Sequence, residues 1–167
     1  GEKLARPVDK RENYVKRCVG IAGDKLEIKD RVLYINDKPA YQPPHMQFSY
    51  TLGIRSNDWA RILDDLDITG YTPYWQSYPG GPIITDSLGN MYFHIHATEQ
   101  RYKDLQQHPD VGVISPNMQG KGVWDFSIFP HSPAYPWNND NFGPLTIPKA
   151  GMTVTLNDTN IILYDRI

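Results

Sequence analysis

Tyr14-Val15-Lys16-Arg17-Cys18-Val19-Gly20-Ile21-Ala22-Gly23-Asp24 is the run from which the rest of the chain is read. It predicts a strand from Tyr14 to Ile21, closed by a tight Gly-Asp turn. Side chains alternate across a strand, so Tyr14, Lys16 and Cys18 share one face. Val15, Arg17, Val19 and Ile21 share the other. A lysine among apolar neighbours holds its proton less firmly, because burial disfavours the charged form, and the charge of Arg17 pushes the same way. A neutral lysine is a competent general base that can activate a hydroxyl. The other use of a strand lysine is as a solvated edge cation that guards against aggregation. The spacing alone leaves both open.

Working outward, residues 13–36 read as a β-meander of three short strands. After Tyr14 to Ile21, Leu26 and Ile28 alternate with Lys25, Glu27 and Lys29, the period of a half-buried strand. Val32 to Ile35 follows the turn at Lys29-Asp30, and Asn36-Asp37-Lys38-Pro39 forms the next turn.

The middle of the chain repeats one order of elements. Met46 to Ile54 predicts a strand. Trp59, Ile62, Leu63 and Leu66 then fall at i, i+3, i+4 and i+7, one face of a helix, with Ser56 or Asn57 as N-cap. Later, Met91 to Ala97 predicts a strand, Thr98 an N-cap, and Tyr102 and Leu105 the buried face of a second helix that His108-Pro109 stops. Val111 to Ile114 is the next strand. Two strand–helix–strand units in tandem predict a ferredoxin-like α+β module. Gly70 to Gly89, rich in Tyr, Pro and Gly, reads as a long connection with room for one strand. Pro116 to Pro148 reads as the return to the first sheet. Met152 to Leu156 and Ile161 to Tyr164 read as closing strands around Asn157-Asp158.

Composition sets the outer bounds. With 167 residues, 40% apolar and 22% charged, the chain is globular and of single-domain size, with room for an insertion. A net charge of −2 argues against a nucleic-acid partner, which needs a basic face. The single cysteine, Cys18, excludes an intrachain disulfide. No apolar run approaches the roughly 18 residues of a membrane span. The chain opens at Gly1 without an initiator Met, and both ends are expected to be cut ends.

The opening run also resembles a known family. Lys16-Arg17-Cys18-Val19-Gly20-Ile21-Ala22-Gly23-Asp24 and its continuation through Leu33-Tyr34-Ile35-Asn36-Asp37-Lys38-Pro39 are similar to the lysine box of signal peptidase I. That box reads Lys-Arg-x-x-Gly-x-Pro-Gly-Asp, followed by a strand, an Asp-Gly turn and Leu-Tyr-Ile-Asn-Gly-Lys-Pro. The run from Arg6 to Asn13, and that from Phe129 to Leu145, resemble the long Bacteroides-group enzymes, which carry a large insertion after the lysine box. Ala22 stands for the usual proline. Arg31 and Asp37 stand for glycines, so those turns are expected to change type. The Ser-Met-x-Pro-Thr nucleophile box and the downstream Gly-Asp-Asn-Arg box are absent from these residues.

The resemblance implies a membrane-bound serine endopeptidase with a Ser/Lys dyad, facing the extracytoplasmic side of the inner membrane. It would cleave signal peptides from secreted preproteins without a cofactor. Lys16 would be the general base, with Tyr14 and Val15 lining the substrate pocket. Arg17, Gly23 and Asp24 would be structural. The nucleophile would lie outside these residues, leaving them inactive alone. The expected fold is α+β and β-rich. Residues 1–44 and 119–167 would form part of a signal-peptidase-like β core, and 45–118 the inserted ferredoxin-like module. A truncated core of this kind is expected to form a homodimer through its open strand edges. The alternative is a non-catalytic relative, an extracytoplasmic module that binds a partner or a glycan.

Three further groups bear on chemistry. His94 and His96 share one face of a strand, the start of a zinc site that lacks a third ligand, or else an ordinary polar face. Asp64, Asp65 and Asp67 lack the glycine and terminal glutamate of an EF-hand loop and fit the polar end of a helix. Tyr71, Tyr74, Trp75 and Tyr78 offer a glycan or peptide platform, or else packing area.

Overall fold

The computed structural model describes residues 17–55, 58–73 and 86–164. Two four-stranded antiparallel sheets dominate, with few helices, in agreement with a β-rich α+β class. The first sheet has the order β3-β2-β1-β8 and joins β1 (Lys25–Lys29), β2 (Val32–Ile35), β3 (Lys38–Pro39) and β8 (Phe142–Thr146). Leu26 pairs with Ile35 and Ile28 with Leu33, so the apolar residues of the alternating pattern share one face. Both hairpin loops have two residues, and both residues of each have positive φ: Asp30 at 47° and Arg31 at 72°, then Asn36 at 51° and Asp37 at 66°. Those are the signs of the type I′ turn, whose twist matches the strands it joins. The turns therefore keep a glycine-type backbone although Arg31 and Asp37 occupy it.

The second sheet has the order β5-β6-β4-β7. It contains β4 (Gln47–Ile54), β5 (Tyr71–Pro73), β6 (Met91–Thr98) and β7 (Val111–Pro116). Helix α1 (Trp59–Asp65) follows β4, and α2 (Glu99–Gln106) follows β6. The register puts Tyr50 opposite Ile95, Leu52 opposite Phe93 and Ile54 opposite Met91. These side chains point to one face, where Ile62, Leu63, Leu66 and Leu105 from the helices close the core over them. Tyr102 stacks on Tyr50 at 4.7 Å between ring centroids. Trp59 is only partly buried; it lies at the core's edge, 5.3 Å from Phe93. Thr98 caps α2, its side chain accepting from the Arg101 amide. Asp58, rather than Ser56 or Asn57, is the N-cap of α1; Ser56 and Asn57 lie outside the described residues.

Three expected strands are not found as strands among the described residues. Residues 17–21, the described part of the run from Tyr14, pair with no strand. The reason is that β1 is already paired on both edges, by β2 and by β8. At the other end, residues 152–156 form no strand, and Ile161–Tyr164 is one turn of helix, α3. Asn157 starts it: its side-chain oxygen accepts from the amides of Thr159 and Asn160, at 3.0 and 2.9 Å. A short apolar run gives no period that separates strand from helix, and the Asx cap decides the matter.

Candidate active site

The turn at residues 21–24, which closes the run resembling a lysine box, is held from three directions. The Asp24 amide donates to the Ile21 carbonyl at 3.0 Å, and the Ile21 amide donates back to Asp24 Oδ2 at 3.0 Å. Asn36 Nδ2 donates to Asp24 Oδ1 at 2.8 Å, while the Lys25 amide donates to Asn36 Oδ1 at 2.9 Å. The Gly23 amide donates to the Ile147 carbonyl, and the Ile147 amide to the Asp24 carbonyl, both at 2.8 Å. Gly23 itself has φ +97°, a conformation that excludes most side chains. The Ile21 backbone amide and then the Asn36 side-chain amide hold the Asp24 carboxyl below its ordinary pKa. Asp24 thus ties the turn to the second hairpin loop, and Ile147, just past β8, ties it to the return segment.

Of the residues singled out for the lysine box, Arg17 is exposed, and Gly23 and Asp24 belong to this turn. Tyr14, Val15 and Lys16 lie outside the described residues. Val19 does not: it lines a groove of about 880 Å³ between the two sheets. One wall is apolar, from Leu26, Ile28, Leu33 and Phe142. The facing wall is largely polar, carrying Gln47, Ser49, His96 and Asn117. Ser49 and Asn117 are locked together. The Asn117 amide donates to the Ser49 carbonyl, Asn117 Nδ2 donates to Ser49 Oγ at 3.0 Å, and Thr51 Oγ1 donates to Asn117 Oδ1 at 2.6 Å.

The groove has a further feature that composition and spacing did not single out. Arg31, at the tip of the first hairpin, pairs with Asp140 at 2.7 Å, and Asn138 and Asn141 brace the loop that presents Asp140. The only signal in the sequence was an arginine where the turn favours glycine.

His94 lies within 3.2 Å of Asn117 Nδ2 and His96 lines the groove. No cluster of three or more His, Cys, Asp or Glu suited to a metal occurs among the described residues. Asp65 pairs with Arg61 on the exposed side of α1. Tyr71 meets Trp59 and Phe93 edge-on, as packing rather than as a platform; Tyr74, Trp75 and Tyr78 lie outside the described residues. Among the described residues, no helix is long and apolar enough to cross a membrane.

Residues 4–63 match the family model described as Signal peptidase, peptidase S26. The chain is 37% identical over 133 residues to Signal peptidase IB of Staphylococcus aureus strain Mu50, covering 79% of this chain and 64% of that protein. Both matches place the similarity of this chain with signal peptidase I. Signal peptidase IB of strain N315 matches over the same lengths at the same identity. That of strain MRSA252 is 37% identical over 59 residues, 35% of this chain and 29% of the relative. The chain spans 64% of the length of the curated relatives it first matches. No solved structure matches it.

Proposed function

We propose that these residues are the lysine-box part and the inserted module of a signal peptidase I of the long Bacteroides-group type. The whole enzyme cleaves signal peptides from secreted preproteins on the extracytoplasmic face of the inner membrane. A serine outside these residues attacks the scissile carbonyl. Lys16 takes the serine's proton and later activates the water that releases the acyl group. Tyr14 and Val15 line the pocket for the residues before the cleaved bond. Gly23 and Asp24 shape the turn that follows the lysine in sequence, and Arg17 is a structural neighbour of the site. Lacking the serine, the chain alone forms no acyl-enzyme and is inactive, and no cofactor takes part.

The observation that carries this reading is the turn at residues 21–24, which closes the lysine-box run and is pinned to Asn36 and Ile147. A general base must be held within hydrogen-bond reach of the proton it takes, and a fixed turn next to it serves that end. The groove that begins at Val19 suits an extended peptide, with side chains against the apolar wall and backbone groups toward Gln47, Ser49 and Asn117. We read residues 1–44 and 119–167 as the catalytic β core and 45–118 as a ferredoxin-like insertion. The support is the order β5-β6-β4-β7 with a helix after β4 and another after β6.

The test is preprotein cleavage by the membrane-inserted full-length parent. Lys16→Met keeps the apolar stem and removes the amine; cleavage is expected to fall by about 10²-fold or more, the range for loss of a general base. Lys16→Arg is expected to fail comparably, since a guanidinium stays protonated. Activity retained within a few-fold in Lys16→Met overturns the assignment.

A further inference from the structure

The first hairpin turns on a residue that its backbone does not favour. A φ of 72° at the second loop position suits glycine, yet Arg31 stands there. Its side chain reaches three separate segments. Arg31 Nε donates to Asp140 Oδ1 at 2.7 Å, and Nη2 donates to the carbonyls of Asn117 at 2.5 Å and Ser49 at 3.4 Å. The guanidinium also lies over the ring of Phe48 at 5.1 Å. The Arg31 amide donates to the Asp140 carbonyl, so the two residues are joined by backbone and side chain alike. Asp140 Oδ2 accepts from the Gln119 amide at 2.8 Å. Both charged side chains are nearly buried, 10% and 11% exposed.

We propose that Arg31 and Asp140 are a positioning pair that seats the second sheet against the first hairpin and thereby sets the width of the substrate groove. Arg31, Ser49, Asn117 and Asp140 all line that groove, so the pair acts on its walls directly. A forked, planar guanidinium can serve the carboxylate and two carbonyls together, where an ammonium would hold fewer of them in fixed geometry. Surface ion pairs are weak, but this one is shielded from water, and loss of either partner strands a charge. The connection to substrate rests on the reading of the groove as the peptide site.

Arg31→Gly is the informative variant. It relieves the turn and removes the pins, so a role confined to the hairpin predicts no loss. Two measurements separate the possibilities. In this chain, with Cys18→Ser, Lys38→Cys and Lys103→Cys, spin labels report the distance between β3 of the first sheet and α2, the helix packed on the second. A narrow distribution is expected to broaden in Arg31→Gly and in Asp140→Asn, and less in Arg31→Lys. An unchanged distribution overturns the pair's positioning role. In the full-length parent, Arg31→Gly is expected to raise KM for preprotein about tenfold with kcat within about twofold, the signature of lost binding rather than lost chemistry. A broadened distribution with KM unchanged overturns the link to substrate. A wild-type parent that cleaves no preprotein overturns the proposed function, and the label distances still decide the pair.

Discussion

Replacing Gly143 by alanine tests how closely the return strand must approach the first hairpin. Gly143 lies in β8 at φ +88°, where the register with β1 shifts between Leu26 and Ile28. A Cβ there would stand 2.7 Å from the Leu26 carbonyl oxygen and 3.2 Å from the Glu27 Cα, both backbone atoms that cannot rotate away. Two costs add: about 1–2 kcal/mol for a side chain in the left-handed region, and about 1–3 kcal/mol for overpacking. Gly122 is the control, because its φ is +84° and nothing lies within 4 Å of its Cβ position. Gly122→Ala should therefore cost only about 1–2 kcal/mol, from backbone strain alone. Urea unfolding of the chain gives both values by linear extrapolation. Hydrogen exchange at the Ile147 amide should quicken in Gly143→Ala alone, because that amide holds the turn at Asp24. Losses equal within about 0.5 kcal/mol would refute the reasoning, since the backbone collision would then cost nothing.

Further expectations concern the core, the acid limb, metal binding and association. Leu105→Ala, at a side chain 1% exposed, should cost about 2–5 kcal/mol in chemical denaturation; Trp59→Ala should cost less than Phe93→Ala, and the reverse order would move the core boundary. Asp86, held at a pKa of about 2 chiefly by Asn90 and with help from Tyr92, stabilises the fold above the ordinary carboxylate pKa. The stability gap between wild type and Asp86→Asn should therefore be constant above pH ~5 and shrink as pH falls toward ~2, and a gap undiminished at pH ~2 contradicts it. Elemental analysis of the purified chain should show no stoichiometric metal dependent on His94. Sedimentation should reveal a dimer at high concentration through the half-buried first sheet, and a strict monomer counts against that expectation.

The parts legible in the sequence are those that local physics decides. Leu26 and Ile28 alternate with charged residues, and that alone places β1. Ile62, Leu63 and Leu66 recur at helical spacing, and all three are buried. Thr98 carries its cap in its own side chain. The parts not legible depend on distant partners. Nothing within residues 17–21 says that β1 has both edges occupied, one of them by β8 more than 110 residues later. Ile161 to Tyr164 has the composition of a strand, and only the Asn157 cap turns it into a helix. Arg31 reads as an ordinary turn residue until Asp140 is placed beside it, 109 positions away.

The buried core and the proposed site occupy different parts of this chain. Among the described residues, the buried apolar side chains apart from Trp137 all fall between Tyr50 and Ile68 or between Met91 and Leu105. The first sheet, which carries the turn behind the lysine box, contributes none of them; its strands are half-buried at best. Its shape must therefore come from directed polar bonds: Asp24 to Asn36, Gly23 to Ile147, Arg31 to Asp140. Each such bond is worth little net and is costly only when one partner is left buried and alone. Elements held this way open locally at a fraction of the global free energy. A substitution in the second sheet's core should then lower global stability while leaving the turn at Asp24 intact until the chain unfolds. Loss of a single polar pin should do the opposite, loosening the turn and the groove in a chain whose core remains folded.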